Sequence, residues 1–324
     1  MFDTTNSLSP GKSAGNGNTR LLFGLVIALI ALLAVAPFFV YPLFLMKVMC
    51  FALFACSLNL LLGFGGLLSF GHAAFFGMAS YVTGYTAKAW GFTPELAILA
   101  GVAVAALMGL LFGLLAIRRH GIYFSMITLA FAQMVFFFAL QAPFTGGEDG
   151  LQAIPRGQMF GFIDLASDMT LYWVVLVIFL AGFLAVYRIV NSPFGEVLAA
   201  IRGNEARATS LGYDVVHHKV MLFVLSATLA GLAGGTKAIV FQLATLTDVN
   251  WTMSSEVILM TLVGGMGTFF GPIVGAALVV SMQNYLSHLG SWVLVVQGGI
   301  FVLCVLVFRA GIVGVLSRWL KRPL

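Results

Sequence analysis

Charge is what this sequence lacks most. Asp, Glu, Lys and Arg make up 8% of its 324 residues, whereas typical soluble domains carry about 25%. A soluble fold of this size needs a charged surface, and the chain does not have the residues to build one. We therefore expect lipid to cover much of the molecule, which excludes an ordinary soluble enzyme.

Cysteine is also scarce, and a complete phosphate-binding loop is missing. Cys50, Cys56 and Cys304 lie in apolar runs without ligand partners at metal-site spacing, so we expect small buried side chains and no metal site. The tripeptide 11–13, Gly-Lys-Ser, resembles the end of a phosphate-binding loop, but Asn6 stands where that motif requires glycine. We therefore predict that the chain binds no nucleotide by this route.

The histidines form no catalytic constellation. His217 and His218 are adjacent, so their side chains point to different faces of a helix. His120 and His288 each stand alone, and the predicted spans place them on opposite sides of the membrane. Without a paired base and nucleophile, the sequence predicts that the chain is not an enzyme.

Long hydrophobic runs are what the sequence does contain, and 61% of its residues are hydrophobic. One membrane-spanning helix takes about 20 apolar residues. We therefore predict an all-α polytopic membrane protein with about 8–10 transmembrane helices, some short or broken. The third, eighth and ninth runs are short and rich in glycine, so re-entrant segments are an alternative there. The ten runs are 21–40, 43–62, 67–87, 94–117, 121–141, 170–190, 219–242, 253–270, 272–288 and 292–309.

The basic residues predict an orientation, because cytoplasmic loops of membrane proteins are enriched in Lys and Arg. With both termini cytoplasmic, 12 of the 16 basic residues lie inside, and Lys88 and Arg156 lie outside. Lys47 and Lys237 fall in apolar runs near the outer face, where we expect them to snorkel to the surface. The inner set is Lys12, Arg20, Arg118, Arg119, Arg188, Arg202, Arg207, Lys219, Arg309, Arg318, Lys321 and Arg322.

The predicted spans place none of the eleven acidic residues in the middle of the membrane. Ion-coupled carriers usually need a carboxylate or equivalent polar ligands deep in the bilayer. This distribution argues against a carboxylate proton relay, while sodium bound by backbone oxygens stays open. The outer acids are Glu95, Glu148, Asp149, Asp164, Asp168, Asp248 and Glu256, and the inner ones are Asp3, Glu196, Glu205 and Asp214.

Polar segments divide the chain into three parts. Residues 1–20 are rich in Gly, Ser and Asn and predict a disordered cytoplasmic lead. Residues 21–315 form the transmembrane domain, and 316–324 form a cytoplasmic tail. The domain carries two polar connections, a periplasmic loop at 142–169 and a cytoplasmic loop at 191–218.

The cytoplasmic loop predicts an amphipathic helix. Ser192 and Pro193 suit its N-cap and first position, Gly203 splits it into two short helices, and Gly212 suits a left-handed end. Such a helix either packs on the membrane or its own bundle, or docks apolar anchors into a partner's groove. The apolar residues at helical spacing are Phe194, Val197, Leu198 and Ile201.

Two glycine-dense segments, 63–77 and 256–275, are the candidates for a translocation path. Dense glycine either breaks a helix where its backbone lines a polar cavity or lets helices pack closely. His72 has the same two interpretations, a pathway residue or a structural one. The candidate pathway residues are Gly66, Ser69, Gly71, His72, Glu256, Gly264, Gly265, Gly267, Gly271 and Pro272.

Three separated segments carry a family resemblance. The stretch from Ser192 to Asp214 is similar to the cytoplasmic signature of the branched-chain amino acid ABC permeases, in particular of their LivM-type subunit. Segments 65–77 and 256–272 agree, and the order and spacing suit the family from about residue 21 to 315. The general Glu-Ala-Ala…Gly pattern of importer permeases is degenerate, because Glu205-Ala206-Arg207 is followed by a glycine one place late.

The resemblance implies that residues 192–212 contact an ATPase subunit. The coupling residues carried over from the family signature are Ser192, Pro193, Phe194, Gly195, Leu198, Ala200, Ile201, Arg202, Asn204, Glu205, Arg207, Ala208, Leu211 and Gly212.

The resemblance also implies a function, namely import of branched-chain or related amino acids across a bacterial inner membrane. The implied partners are two cytoplasmic ATPase subunits that bind ATP and Mg, a second homologous permease subunit and a periplasmic substrate-binding protein. No cofactor is expected in this chain, and no nucleic acid, because its basic residues lie at span ends instead of forming one patch. An ion-coupled secondary carrier of small polar solutes is the alternative.

Overall fold

The computed structural model describes residues 16–119, 121–161, 163–286, 292–307 and 311–319. Within these ranges the chain is built from α-helices, with four two-residue strands and no closed sheet. Five described helices are long and apolar enough to cross a membrane: Pro42–Phe64, Pro94–Ala116, Ile122–Gln141, Asp168–Val190 and Val215–Phe241. The predicted all-α polytopic class is confirmed, whereas the cytoplasmic position of both termini stays a prediction.

Most helices follow one another along the chain with short connections, whereas residues 142–167 separate Ile122–Gln141 from Asp168–Val190. Three 3₁₀ turns cover Ala36–Phe38, Pro143–Thr145 and Gly147–Asp149, and a π-helical turn, Leu60–Phe64, extends α2. The described α-helices are α1 Asn16–Val35, α2 Pro42–Asn59, α3 His72–Ala89, α4 Pro94–Ala116, α5 Ile122–Gln141, α6 Asp168–Val190, α7 Pro193–Gly203, α8 Glu205–Ser210, α9 Val215–Phe241, α10 Leu246–Val249, α11 Trp251–Gly264, α12 Gly271–Tyr285, α13 Trp292–Val307 and α14 Ile312–Trp319.

The two ends of the bundle are built differently. One end carries α7 and α8 and is called the α7–α8 end. The other, the strand end, carries two small antiparallel sheets that pair β1 Leu151–Gln152 with β4 Leu243–Ala244, and β2 Gln158–Met159 with β3 Ile163–Asp164. Both sheets involve the predicted periplasmic loop, so the two predicted polar loops lie at opposite ends of the bundle.

The core has α2 and α9 at its centre. Helix α2 contacts α6, α9, α11 and α12, while α3 and α4 pack on each other and on α9. Proline begins several of these helices, at Pro42, Pro94 and Pro193, because its fixed φ suits the first turn and its missing N–H costs no helical hydrogen bond. Most side chains of α2 are buried, so this helix is shielded from lipid by its neighbours.

Several predicted boundaries are wrong, and glycine explains most of the differences. The third run was predicted to begin at residue 67, but α3 begins at His72, because the backbone of the glycine-rich segment 65–71 is not helical. The eighth run ends at Gly264 instead of 270, and the ninth forms α12, which ends at Tyr285. Helix α1 begins at Asn16, inside the predicted disordered lead, while residues 1–15 lie outside the described residues.

Candidate functional site

The predicted amphipathic helix exists and is split where glycine predicted the split. The Ser192 hydroxyl accepts a hydrogen bond from the Gly195 N–H at 3.4 Å and caps α7. After Gly203, Asn204 is the N-cap of α8, and its side-chain oxygen accepts a hydrogen bond from the Arg207 N–H at 3.0 Å. These caps fix two short helices at an angle set by the intervening extended residue.

The apolar face of α7 and α8 packs on the chain's own bundle. Leu198 is 3% exposed and belongs to the main core, and Ile201, at 4%, packs with Ala208 and Val215. Leu198 and Ile201 thus pack on the chain's own bundle, and their contact with an ATPase subunit stays a prediction. Because these side chains are buried against their own chain, only the opposite face of α7 and α8 is exposed for contact with another protein.

That opposite face is polar with one large apolar side chain. Leu211 is 68% exposed, and Gly212 follows it with a φ of 89°, a left-handed conformation that ends α8. Ser192, Phe194, Gly195 and Glu205 are half-buried at the edge between the two faces. The exposed members of the predicted coupling set are Pro193, Ala200, Arg202, Asn204, Arg207, Leu211 and Gly212.

Two polar contacts fasten α7 and α8 to the central helices. The Arg202 guanidinium donates a hydrogen bond to the Gly63 carbonyl oxygen in the π-helical turn of α2. The Glu205 carboxylate pairs with the Lys219 ammonium of α9 at 2.7 Å. These two contacts join the short helices directly to the π-helical turn of α2 and to α9.

The two glycine-rich segments meet next to the contact between Arg202 and Gly63. Asn59 joins them: its side-chain oxygen accepts from the Gly267 N–H at 2.9 Å, and its amide donates to the Thr268 carbonyl, also at 2.9 Å. Gly267 adopts a φ of 75°, and a Cβ at Gly63 would collide with its N–H. The breaks after α2 and after α11 are thus a single backbone junction at the α7–α8 end.

Close packing accounts for several of the predicted pathway glycines. A Cβ on Gly71 would meet the Thr128 carbonyl oxygen, one on Gly264 the Gly271 carbonyl, and one on Gly271 the Gly265 carbonyl. Pro272 occupies the first turn of α12. Gly66 and Gly265 have positive φ values of 70° and 125°. A role for this set in translocation stays a prediction.

His72 is fully buried at the first position of α3. Its Nε2 lies 2.9 Å from the Ser57 hydroxyl, and its ring stacks on Phe54 with centroids 5.6 Å apart. Ser69 is also buried, and its hydroxyl accepts from the Gly71 N–H at 3.3 Å. These contacts fit the structural interpretation of His72, and its pathway role stays a prediction.

Buried and half-buried charged side chains also lie near the strand end. Lys237 of α9 pairs with Asp248 of α10 at 2.5 Å, with side chains 10% and 4% exposed. The expectation that Lys237 snorkels to the surface is wrong, because a buried carboxylate neutralises it in place. Glu256 is half-buried on α11 and accepts a hydrogen bond from the Gln283 amide at 3.0 Å.

Sequence reasoning missed the role of Asn59 and the partner of Lys237. Asn59 lies 208 residues from Gly267, and no local pattern links them. The Lys237–Asp248 pair was detectable in part, since both residues lie at the outer end of the predicted seventh span. Their eleven-residue separation crosses a break in the helix, so helical spacing does not predict the contact.

The folded chain is thus a bundle of membrane-spanning helices. The two short helices α7 and α8, together called the elbow, are bound across one end of it. The model of a known family, the permease component of branched-chain amino acid transport systems, matches residues 40–305. The chain belongs to this family. Because the family consists of transport components, the prediction that the chain is not an enzyme is confirmed.

Relatives from several organisms extend this finding. The chain is 27% identical to the LivM permease protein of the high-affinity branched-chain amino acid transport system of Salmonella typhimurium over 283 residues, which cover 79% of this chain and 65% of the relative. The Escherichia coli LivM protein is 26% identical over 278 residues, with the same two coverages. The chain thus spans just under two thirds of these relatives.

A relative named for a different solute also matches. The ribose import permease protein RbsC of Bacillus subtilis is 30% identical over 172 residues, 51% of each chain. No solved structure matches the chain significantly. Some of these relatives are named for amino acid transport and others for sugar transport. The similarity alone therefore does not identify the solute.

Proposed function

We propose that this chain is a transmembrane permease subunit of an ATP-driven importer that moves branched-chain or related amino acids into the cytoplasm of a bacterium. The observation that carries the proposal is the match to the permease family across residues 40–305. The LivM relatives, named for branched-chain amino acid transport, support the solute class. The inner membrane is the expected location, with α7 and α8 on the cytoplasmic side.

The proposed energy source is ATP hydrolysis by two separate cytoplasmic subunits that bind ATP and Mg. One of them docks on the exposed face of α7 and α8, where Leu211 is the largest exposed apolar side chain. Closure of the ATPases moves these helices, and the Arg202–Gly63 and Glu205–Lys219 contacts carry that movement to α2 and α9. The bundle then alternates between openings on its two sides.

Further proteins complete the proposed importer. A second homologous permease subunit forms the other half of the pathway, and a periplasmic substrate-binding protein delivers the solute to the strand end. The acidic residues of the loop 142–169, such as Glu148 and Asp149, are exposed and provide a polar docking surface there.

Co-purification and reconstitution test the proposal. The tagged chain, isolated from its native membrane, is expected to bring two ATPase subunits and a second permease. In liposomes the assembled complex is expected to accumulate leucine only with ATP. Uptake by the chain alone, driven by an ion gradient without ATP, would support a secondary carrier and refute the proposal.

A variant tests the docking face. Leu211→Asp places a charge on the exposed surface without touching the core, so we expect it to lower ATP-dependent uptake about tenfold and to preserve membrane insertion. Val216→Asp is a matched control, since Val216 is exposed beyond the predicted coupling residues. Equal uptake by Leu211→Asp and the unaltered complex would refute docking at this face.

A further inference from the structure

One buried amide joins α2 to the segment between α11 and α12, residues 265–270, here called the hairpin turn. Asn59 is the last residue of α2 and is 1% exposed. Its side-chain oxygen accepts a hydrogen bond from the Gly267 N–H, and its amide donates to the Thr268 carbonyl oxygen, both at 2.9 Å. Breaking these bonds would leave buried polar groups without partners, which costs more than losing an exposed contact. Asn59 therefore holds the hairpin turn against the end of α2.

The hairpin turn is braced by its own hydrogen bonds. The Thr268 hydroxyl donates to the Gly265 carbonyl oxygen at 2.8 Å and accepts from the Gly271 N–H at 3.1 Å. Gly265 and Gly267 have φ values of 125° and 75°, which glycine adopts without a steric penalty. Helices α11 and α12 also pack on each other. Because these contacts link the end of α11 to the beginning of α12, we expect a displacement of the turn to shift both helix ends together.

Arg202 brings the elbow to the same junction. Its guanidinium donates to the Gly63 carbonyl oxygen in the π-helical turn Leu60–Phe64, which directly follows Asn59. The aliphatic part of its side chain lies over Gly66, where a Cβ would be 3.3 Å from the Arg202 Cγ. Short π-helical turns are frequent at functional sites. Arg202 and Asn59 thus bond on either side of one short, irregular turn.

The π-helical turn is the point that the elbow shares with the pair of helices α11 and α12. The elbow packs on α6, α9 and this turn, and α11 and α12 pack on α2. We propose that Asn59 is a coupling residue, which passes movement of the elbow through the π-helical turn to α11 and α12. This assignment rests on the proposed function and adds α11 and α12 to the helices that the elbow moves. Both then shift during each cycle of ATP hydrolysis.

The test compares two rates in one preparation of the assembled importer in liposomes, ATP hydrolysis and ATP-dependent uptake of radiolabelled L-leucine. Asn59→Leu keeps the size of the side chain and removes both hydrogen bonds to the hairpin turn. We expect the ATP hydrolysed per leucine imported to rise about tenfold, the factor expected from the loss of two buried hydrogen bonds. A purely structural role of Asn59 would change stability or assembly without changing this ratio.

A second variant reaches the same route from the hairpin turn. Thr268→Val removes the hydroxyl that braces the turn and keeps the backbone groups that Asn59 binds, so we expect the ratio to rise about threefold. Ser80→Ala is a matched control outside the junction. It loses a buried hydrogen bond of the Ser80 hydroxyl to the Gly234 carbonyl, between α3 and α9, and is expected to change the ratio less than about twofold.

Combining two variants tests whether Arg202 and Asn59 act in series. In a series, Arg202→Ala added to Asn59→Leu raises the ratio at most about twofold beyond the more severe single variant, because the route is already interrupted. Independent contributions would multiply the two single effects. A multiplied effect would therefore refute a route that runs through both residues.

The other results are equally decisive. An unchanged ratio in the assembled Asn59→Leu importer, whether both rates are kept or fall in proportion, would refute the coupling role and leave the proposed function intact. If Asn59→Leu does not assemble, Thr268→Val decides, and an unchanged ratio there would refute the role. Leucine uptake by the unaltered complex without ATP would refute the proposed function itself.

Discussion

The two ends of the bundle use different interactions to hold their helices together. At the α7–α8 end, glycines bring backbones into contact, and single side chains such as Asn59 and Arg202 bond to backbone groups. At the strand end the Lys237–Asp248 ion pair is buried, whereas in the Lys219–Glu205 ion pair of the α7–α8 end the glutamate side chain is 40% exposed. The comparison shows one end held by close backbone packing and bonds to backbone groups, and the other by a buried pair of opposite charges.

The largest expected effect comes from breaking the closed pair. Lys237→Met leaves Asp248 charged and buried, so we expect the free energy of unfolding to fall by about 3–5 kcal/mol. The double variant Lys237→Met/Asp248→Asn removes both charges and is expected to lose less. Thermal unfolding in detergent measures both, and a double variant less stable than Lys237→Met would contradict the role of the pair.

A smaller loss is expected from separating helices at the other end. Gly264→Ala places a methyl group against the Gly271 carbonyl oxygen and forces α11 away from α12. We expect a destabilisation of about 1–3 kcal/mol, with ATP-dependent uptake reduced. Gly299→Ala is a matched control, because a Cβ there meets nothing within 4 Å. Equal stability of the two variants would argue against a packed junction.

Loosening the elbow tests transmission more directly. Arg202→Ala removes the hydrogen bond to the Gly63 carbonyl, which is expected to cost about 1 kcal/mol of stability. We expect ATP hydrolysis to continue while leucine uptake falls, since the contact carrying movement to α2 is lost. Measuring both rates in one preparation checks this. Proportional loss of the two rates would mean that Arg202 does not couple them.

The smallest effect is expected at the cap of α7. Ser192→Ala removes the acceptor for the Gly195 N–H, so the first turn of α7 is expected to lose about 0.5–1 kcal/mol. Hydrogen exchange of the α7 amides measures the loss. Ser192→Asp keeps an acceptor and is expected to restore protection. Faster exchange in α9 instead of α7 would show that Ser192 acts elsewhere.

Local chemistry made the elbow predictable. Ser192, Gly203 and Gly212 define a cap, a split and a left-handed end, because each acts on its own backbone within one helical turn. The long apolar spans were also predictable, since lipid requires about 20 apolar residues in sequence. The ends of the short glycine-rich helices were predicted less accurately. Apolar residues continue past these ends, whereas the backbone leaves the helical conformation at glycine.

The sequence by itself determined a polytopic membrane helix bundle and the two short helices α7 and α8, since these follow from composition and short-range spacing. Its family followed from the resemblance of three separated segments. Only the tertiary structure decided which face of α7 and α8 is buried, which carboxylate Lys237 meets, and which segment Asn59 joins. These depend on helices far apart in the chain, such as α2 and α11, that come together only on folding. Contacts of that kind follow from packing as a whole, which no local pattern encodes.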